Sequence, residues 1–203
     1  MRSSLSPARL LPPLFASLIA LFSASPAFAG GIGLLGTGGM HGDRVYGYTT
    51  DPDTGNVKQD VPELQLNANY GTGLDLTLGD RDNRIVGVFR FWYLQDAPQA
   101  PPKTGDVYAV RTDSRNVGMF SGGLQWGIVG DPTRLQFTAI TLIGSGFLTD
   151  DFTEFALGEA GVGGTFNPTR HMQIFAEVTG GIRYRKRVYP TANGTAGVRY
   201  LFD

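Results

Sequence analysis

The chain has 203 residues, with 17 Lys and Arg against 18 Asp and Glu, no cysteine, 29 glycines, and 13 Phe, 8 Tyr and 2 Trp. The near balance of charge excludes the basic footprint of a nucleic-acid binder, and the missing cysteines exclude disulfide scaffolds, thiolate metal sites and a lipidated N-terminal Cys. Only 17% of residues are charged, and no stretch after the first 29 residues is apolar for long enough to form a membrane helix, so a β-protein is expected.

The chain opens with Arg2 and Arg9, an apolar run from Leu10 to Phe22, and the small-residue site Ala27-Phe28-Ala29. This is the pattern of a cleaved signal peptide over residues 1–29. Pro12 and Pro13 interrupt the apolar run, which is shorter than the roughly 20 residues a spanning helix needs. Residues 30–203 then form one domain, and loss of Arg2 and Arg9 moves the formal charge from -1 to -3.

The first strand reads from Gly31 to about Gly42 and is dense in glycine. From Glu63 to Gly79 the alternation is strict, with Leu64, Leu66, Ala68, Tyr70, Leu74, Leu76 and Leu78 on one face and Glu63, Gln65, Asn67, Asn69 and Asp75 on the other. Ile85 to Leu94 places Phe89, Phe91 and Tyr93 opposite Arg90. Phe120 to Ile128 places Phe120, Leu124, Trp126 and Ile128 opposite Ser121, Gly123, Gln125 and Gly127. Leu135 to Phe147 sets Phe137, Ala139, Thr141 and Ile143 against Gln136 and Thr138, and Phe152 to Phe166 sets Ala156, Ala160, Val162 and Phe166 against Glu159 and Thr165. From His171 to Arg185, Met172, Ile174, Ala176, Val178, Ile182 and Tyr184 oppose Gln173, Phe175, Glu177, Thr179 and Arg183. The final run sets Ala196, Val198, Tyr200 and Phe202 against Thr195, Gly197 and Arg199.

Connections alternate between two kinds. Tight turns are expected at "GDRDNR" (Gly79 to Arg84), "GDPTR" (Gly130 to Arg134) and "NPTR" (Asn167 to Arg170), where Asp, Asn, Pro and Gly supply turn geometry. Mostly longer loops are expected at Asp43 to Asp60, Gln95 to Asn116, Leu148 to Asp151 and Val188 to Asn193. Eight strands joined in this way predict an all-β fold, an eight-stranded antiparallel up-and-down barrel with both termini at the short-turn end. An even count lets the first strand pair with the last and removes both sheet edges. The continuous apolar face has no second sheet to cover it and is expected to meet lipid, making the barrel transmembrane.

With its leader, tight turns, alternating strands and aromatic last strand "GVRYLF", the chain resembles the small eight-stranded outer-membrane β-barrels of Gram-negative bacteria, the OmpA/OmpX-like group. The resemblance implies the cell outer membrane as location, outer-membrane lipid and the barrel-assembly machinery as partners, and Tyr200 and Phe202 as the C-terminal assembly signal. Phe202 is followed by Asp203, where such barrels usually end on Phe. Tyr46, Tyr48, Trp92, Tyr93, Trp126, Phe166, Tyr184 and Tyr200 are candidates for interfacial girdles, with ordinary packing as the alternative.

His41 and His171 fall at opposite rims, and neither has the Ser or acid neighbours of a catalytic trio. They read as plain rim histidines, and no catalytic, cofactor or metal site is expected. The string "GIGLLGTGG" (Gly31 to Gly39) lacks the helix and the Lys-Ser/Thr pair of a phosphate loop and reads as close packing of the wall. Glu63, Asp75, Glu159 and Glu177 share the inward face with Arg90, Arg183 and Arg199. Eight strands leave an interior filled by side chains, so a salt-bridged polar plug is expected. The functional expectation is a non-enzymatic structural or interaction barrel that meets envelope proteins through its exposed loops. The stiff Pro98, Pro101 and Pro102 segment, which also carries Lys103, Arg111 and Arg115, is one such loop. A narrow channel and a lipid-acting enzyme are the alternatives.

Overall fold

The computed structural model describes residues 29–59, 63–80, 82–100, 107–109, 111, 113–149 and 154–202. The leader reading falls, all but Ala29, on residues outside these. Ten strands occur among the described residues: β1 (Gly30–Thr50), β2 (Val57–Gln59), β3 (Glu63–Leu78), β4 (Ile85–Asp96), β5 (Val107–Ala109), β6 (Arg115–Asp131), β7 (Leu135–Leu148), β8 (Glu154–Thr169), β9 (Met172–Arg185) and β10 (Arg187–Phe202). Eight of them pair antiparallel in the order β10-β9-β8-β7-β6-β4-β3-β1, and β1 pairs again with β10 from Gly30↔Phe202 to His41↔Thr191. The sheet is a closed eight-stranded barrel with its first and last strands at the short-turn end.

Alternation sets which side chains enter the barrel. Along β9 the residues Phe175, Glu177, Thr179 and Arg183 are buried, whereas Ile174, Val178, Ile182 and Tyr184 stand exposed on the outer wall. The wall continues around the barrel with Leu34, Leu66, Phe91, Phe137, Ile143 and Val162. An apolar surface of this extent on a closed barrel is the surface of a transmembrane β-barrel, whose lipid-facing band alternates with its interior.

Three tight turns close the end that carries the termini, and each begins on an aspartate or is tied to one that does. Asp80 Oδ1 accepts the backbone N–H of Asp82, and Asp131 Oδ1 accepts both the N–H and the hydroxyl of Thr133. Gly130 precedes the second turn with φ 107°, a value that strains any side chain. Asn167 in the third turn donates its amide to Pro132 O at 2.6 Å, and its N–H to Arg134 O at 2.8 Å, so the two similar turns are hydrogen-bonded neighbours.

The outer end departs from expectation in two places. β1 does not stop near Gly42: Asp43–Val45 pair with Glu63–Gln65 of β3, and beyond the barrel Tyr46–Thr50 pair with β5 and β2. The expected loop from Asp43 is therefore half strand, and three chain segments form a ribbon standing above the barrel. A turn at its tip is closed by Asp51, whose carboxylate accepts the N–H groups of Asp53 and Thr54 and is held below the usual aspartate range, chiefly by the Asp53 amide.

The second departure is the expected loop from Val188 to Asn193, which is strand, paired from Val188↔Tyr184 to Asn193↔Thr179. Pro190 lies one residue past the last β1 pairing, at a strand position where the missing N–H is tolerated. The β9–β10 connection shrinks to Lys186, which takes φ 58°. Three loops and one tight turn thus occupy the outer end, not four loops.

Two outcomes follow. Val178→Arg, at the middle of the lipid-facing wall, is expected to destabilise the folded barrel by about 2–4 kcal/mol, whereas Val57→Arg on the outer ribbon should cost close to nothing; urea titration followed by heat-modifiable gel mobility reads both. Lys186→Gly removes a left-handed side chain and should stabilise by about 0.5–1 kcal/mol in the same titration.

Candidate functional site

The inward-facing residues divide the interior into a charged plug, an apolar wall and an outer vestibule. The plug is a chain of ion pairs across the lumen. Arg90 of β4 donates Nε to Asp75 of β3 at 2.8 Å and both terminal nitrogens to the two oxygens of Glu177 on β9. Arg199 of β10 takes the other side of Asp75, through Nε at 2.5 Å and Nη2 at 3.2 Å. Its remaining nitrogen donates to Gln173 at 2.6 Å and Gln125 at 3.3 Å.

Two arginines and two acids make the plug formally neutral, and every ionised group in it has charge-assisted partners. Phe175 stands beside both guanidiniums, 4.0 Å from Arg199 and 5.4 Å from Arg90 by ring centroid, adding cation–π contact where water is excluded. Gly33 makes room for this arrangement: a Cβ there would lie 2.9 Å from Arg199 Cγ and 2.4 Å from Val198 O. Gly31 and Gly39 are as tightly placed, so three glycines of the string serve close packing, while Gly36 and Gly38 face outward with open space beside them.

The interior is less polar than the alternation of β3 alone implies. Val88, Trp92 and Leu94 of β4, Val117 and Met119 of β6, Ile140 and Leu142 of β7, and Phe155 and Leu157 of β8 form one buried cluster inside the barrel. One wall of the lumen is apolar, while β1, β3, β9 and β10 bring most of the polar groups. Trp92 is consequently not an interfacial girdle residue; its even position in β4 points it inward, with 5% exposure. Tyr93, Phe166, Tyr184 and Tyr200 do face outward, Trp126 and Tyr48 are half-buried, and the side chain of Tyr46 lies outside the described residues.

Glu159 and Arg183 belong to a second group, nearer the outer end. Glu159 accepts hydrogen bonds from Asn193 at 2.7 Å, Thr179 at 3.2 Å and Thr191 at 3.3 Å. Arg183 lies over the Phe155 ring at 5.2 Å, with Nη1 4.0 Å from Asp96 Oδ1. Asp96 also receives Arg115 Nη2 at 3.1 Å and stands 3.5 Å from His41 Nε2. His41 is thus no rim residue: it shares the inward parity of Gly33 and Leu35 and is 4% exposed. Glu63 is half-buried at the outer end of β3, apart from the plug it was expected to join. His171 is exposed at the turn end, stacked on Tyr200 at 5.8 Å, and Tyr200 meets Phe202 edge-on.

A vestibule of about 80 Å³ opens among His41, Asp43, Arg115, Arg183, Arg185 and Tyr189 on the outer side, floored by Leu148 and Phe155. At the turn end a smaller cavity of about 30 Å³, room for a single water, lies against Arg199, Gln125 and Gln173. Between the two, Asp75 and Arg90 have no exposed surface, and Leu94, Ile140, Leu142 and Arg199 have 1% each. These side chains therefore expose almost no surface to water.

No protein-family model matches the chain, and no curated protein matches it in sequence. Among solved structures it is similar to Ail, the attachment invasion locus protein of Yersinia pestis, at 13% identity and a TM-score of 0.47, over 86% of this chain and 99% of that one.

Removing one member of the plug should cost far more than replacing a pair. Arg90→Met leaves Glu177 buried without its cation and is expected to destabilise the barrel by about 3–5 kcal/mol. Arg90→Met combined with Glu177→Leu should recover at least half of that loss, read from urea midpoints in detergent. With an apolar wall outside, a closed hydrogen-bonded cylinder between, and a neutral ionic plug within, the chain folds as a small closed eight-stranded antiparallel β-barrel of the membrane-spanning kind.

Proposed function

We propose that this is a non-conducting, non-enzymatic barrel that works through its outer end, as a structural or interaction protein of the envelope. The observation that carries this reading is the filled cross-section at Asp75, Arg90 and Glu177. A pore must leave a continuous wet path, and a neutral, fully paired ion chain that crosses the lumen leaves none. What the barrel offers to its surroundings is then its lipid-facing wall and the surface beyond it.

That surface is built, not merely looped. The ribbon of β1, β2 and β5 extends past the barrel, and the base of the following loop is tied down by Arg111, whose guanidinium donates to Ala97 O at 2.6 Å, Asp113 O at 2.5 Å and Asp96 O at 3.4 Å. Gln99 bridges the same loop to Asp43 of β1 at 2.5 Å. A surface held in place loses less conformational entropy on meeting a partner than a free loop does. Pro101, Pro102 and Lys103 of the expected stiff segment lie outside the described residues.

The purified protein in planar lipid bilayers is expected to give no large, stable conductance steps. Reproducible large steps that vanish on unfolding would overturn the non-conducting reading and favour the narrow channel. Replacing residues 51–56 and 98–110 by short turns should preserve heat-modifiable migration while abolishing any envelope phenotype of the intact protein; an unchanged phenotype would remove the outer end from the function.

A further inference from the structure

The geometry points to the outer vestibule as a binding site for a single oxyanion group, the carboxylate or phosphate of a solute or glycan end that enters from outside. Three observations converge on it. Arg183 is 5% exposed and lines the vestibule, yet neither its Nε nor its Nη2 has a hydrogen-bond partner. These two nitrogens form the parallel side-on fork of the guanidinium, the edge that matches two oxygens of a carboxylate or phosphate. Nη1, the third nitrogen, is the one turned toward Asp96.

The fork is also held in orientation. Phe155 stacks beneath the guanidinium at 5.2 Å, and Nη1 stands 4.0 Å from Oδ1 of the fully buried Asp96, an oxygen without a hydrogen bond of its own. Arg115 differs: its Nη2 donates to Asp96 at 3.1 Å, so its side-on fork is half engaged and Nε alone has no partner. Both His41 nitrogens likewise lack a hydrogen bond, and the ring lines the same space. Unsatisfied donors on a buried arginine cost free energy, and a cavity beside them is where a ligand recovers it.

Charge and size agree on the ligand. The lining presents Arg115, Arg183 and Arg185 against one carboxylate, Asp43, which already accepts from Gln99; Asp96 and Glu159 do not line the space. A volume of about 80 Å³ is well above the roughly 10–15 Å³ that one water needs. One oxyanion group fits that volume, with the molecule that bears it projecting past Tyr189 and Arg185. Conduction has no part in the inference, so a conducting barrel would leave it standing.

Calorimetric titration of the full protein, purified from outer membranes in detergent, with inorganic phosphate, glucuronate and glucose tests it. Saturable one-to-one binding of phosphate or glucuronate, with none of glucose, is expected. Phosphate alone would identify a phosphate-bearing ligand, and glucuronate alone a carboxylate. Arg183→Lys keeps the charge and loses the fork, and should weaken binding at least tenfold with heat-modifiable mobility unchanged. Should that variant not fold, the Tyr189→Trp protein supplies a second reading, because an anion entering the vestibule must change its indole fluorescence saturably. Absence of binding by both anions, equal binding of glucose, or undiminished affinity in folded Arg183→Lys would overturn the assignment.

Discussion

Pairing of Gly30–His41 with Thr191–Phe202 is the contact on which everything else depends. In hydrocarbon there is no water to take up a free N–H or C=O, so a sheet whose wall is apolar outside is viable only when its two edges meet. Closure also creates the interior. Inward side chains of eight strands must then fill one narrow cylinder, and each acid placed there needs a cation from across it.

The two polar groups solve that problem in different ways. In the plug, two arginines match two carboxylates in charge, and the result is a rigid cross-link between β3, β4, β9 and β10. In the outer group, Asp96 faces two guanidiniums, Arg115 at 3.1 Å and Arg183 at 4.0 Å, and the His41 imidazole at 3.5 Å, and nitrogens are left over. The ionised groups of the plug are all paired within the protein; the outer group leaves nitrogens of Arg183, Arg115 and His41, and Oδ1 of Asp96, without hydrogen bonds, and it is the group beside the vestibule.

The barrel was legible in the sequence because its signal is a period, and a period of two survives ignorance of tertiary contacts. Asp75, Arg90, Glu177 and Arg199 could be placed inside on parity alone. Parity could not pair them, since Arg90 and Glu177 are 87 positions apart and meet only through closure. The errors fall where strand ends were judged by composition. Asp96 continues the inward series of Arg90, Trp92 and Leu94, but reading the strand as ending at Leu94 hid it, and Arg115, directly across from it, was hidden with it. His41 has the parity of Gly33 and Leu35 and was taken for a rim residue because Gly42 and Asp43 look like a loop. Val188 to Asn193 was misread because Pro190, Asn193 and Gly194 carry turn chemistry, which the pairing partners on β9 override. The apolar wall of the lumen shows in the sequence only as apolar residues on both faces of Ile85 to Leu94 and Leu135 to Phe147, whereas β3, the most strictly alternating strand, is also one of the most polar inside.

The plug has a consequence for how the molecule is assembled. Asp75 and Arg90 face each other in adjoining strands and can meet as soon as the β3–β4 hairpin exists. Glu177 and Arg199 arrive from the last two strands and reach the first pair only when the cylinder shuts. Until then the hairpin carries one arginine edge without its second acid, and the C-terminal strands carry an acid and an arginine whose partners are elsewhere. The four residues therefore act as a latch: an unclosed sheet in the bilayer is held at the energy of unpaired ions, and the seam between β1 and β10, once joined, cannot peel open without breaking the Asp75–Arg199 ion pair that bridges it over Gly33.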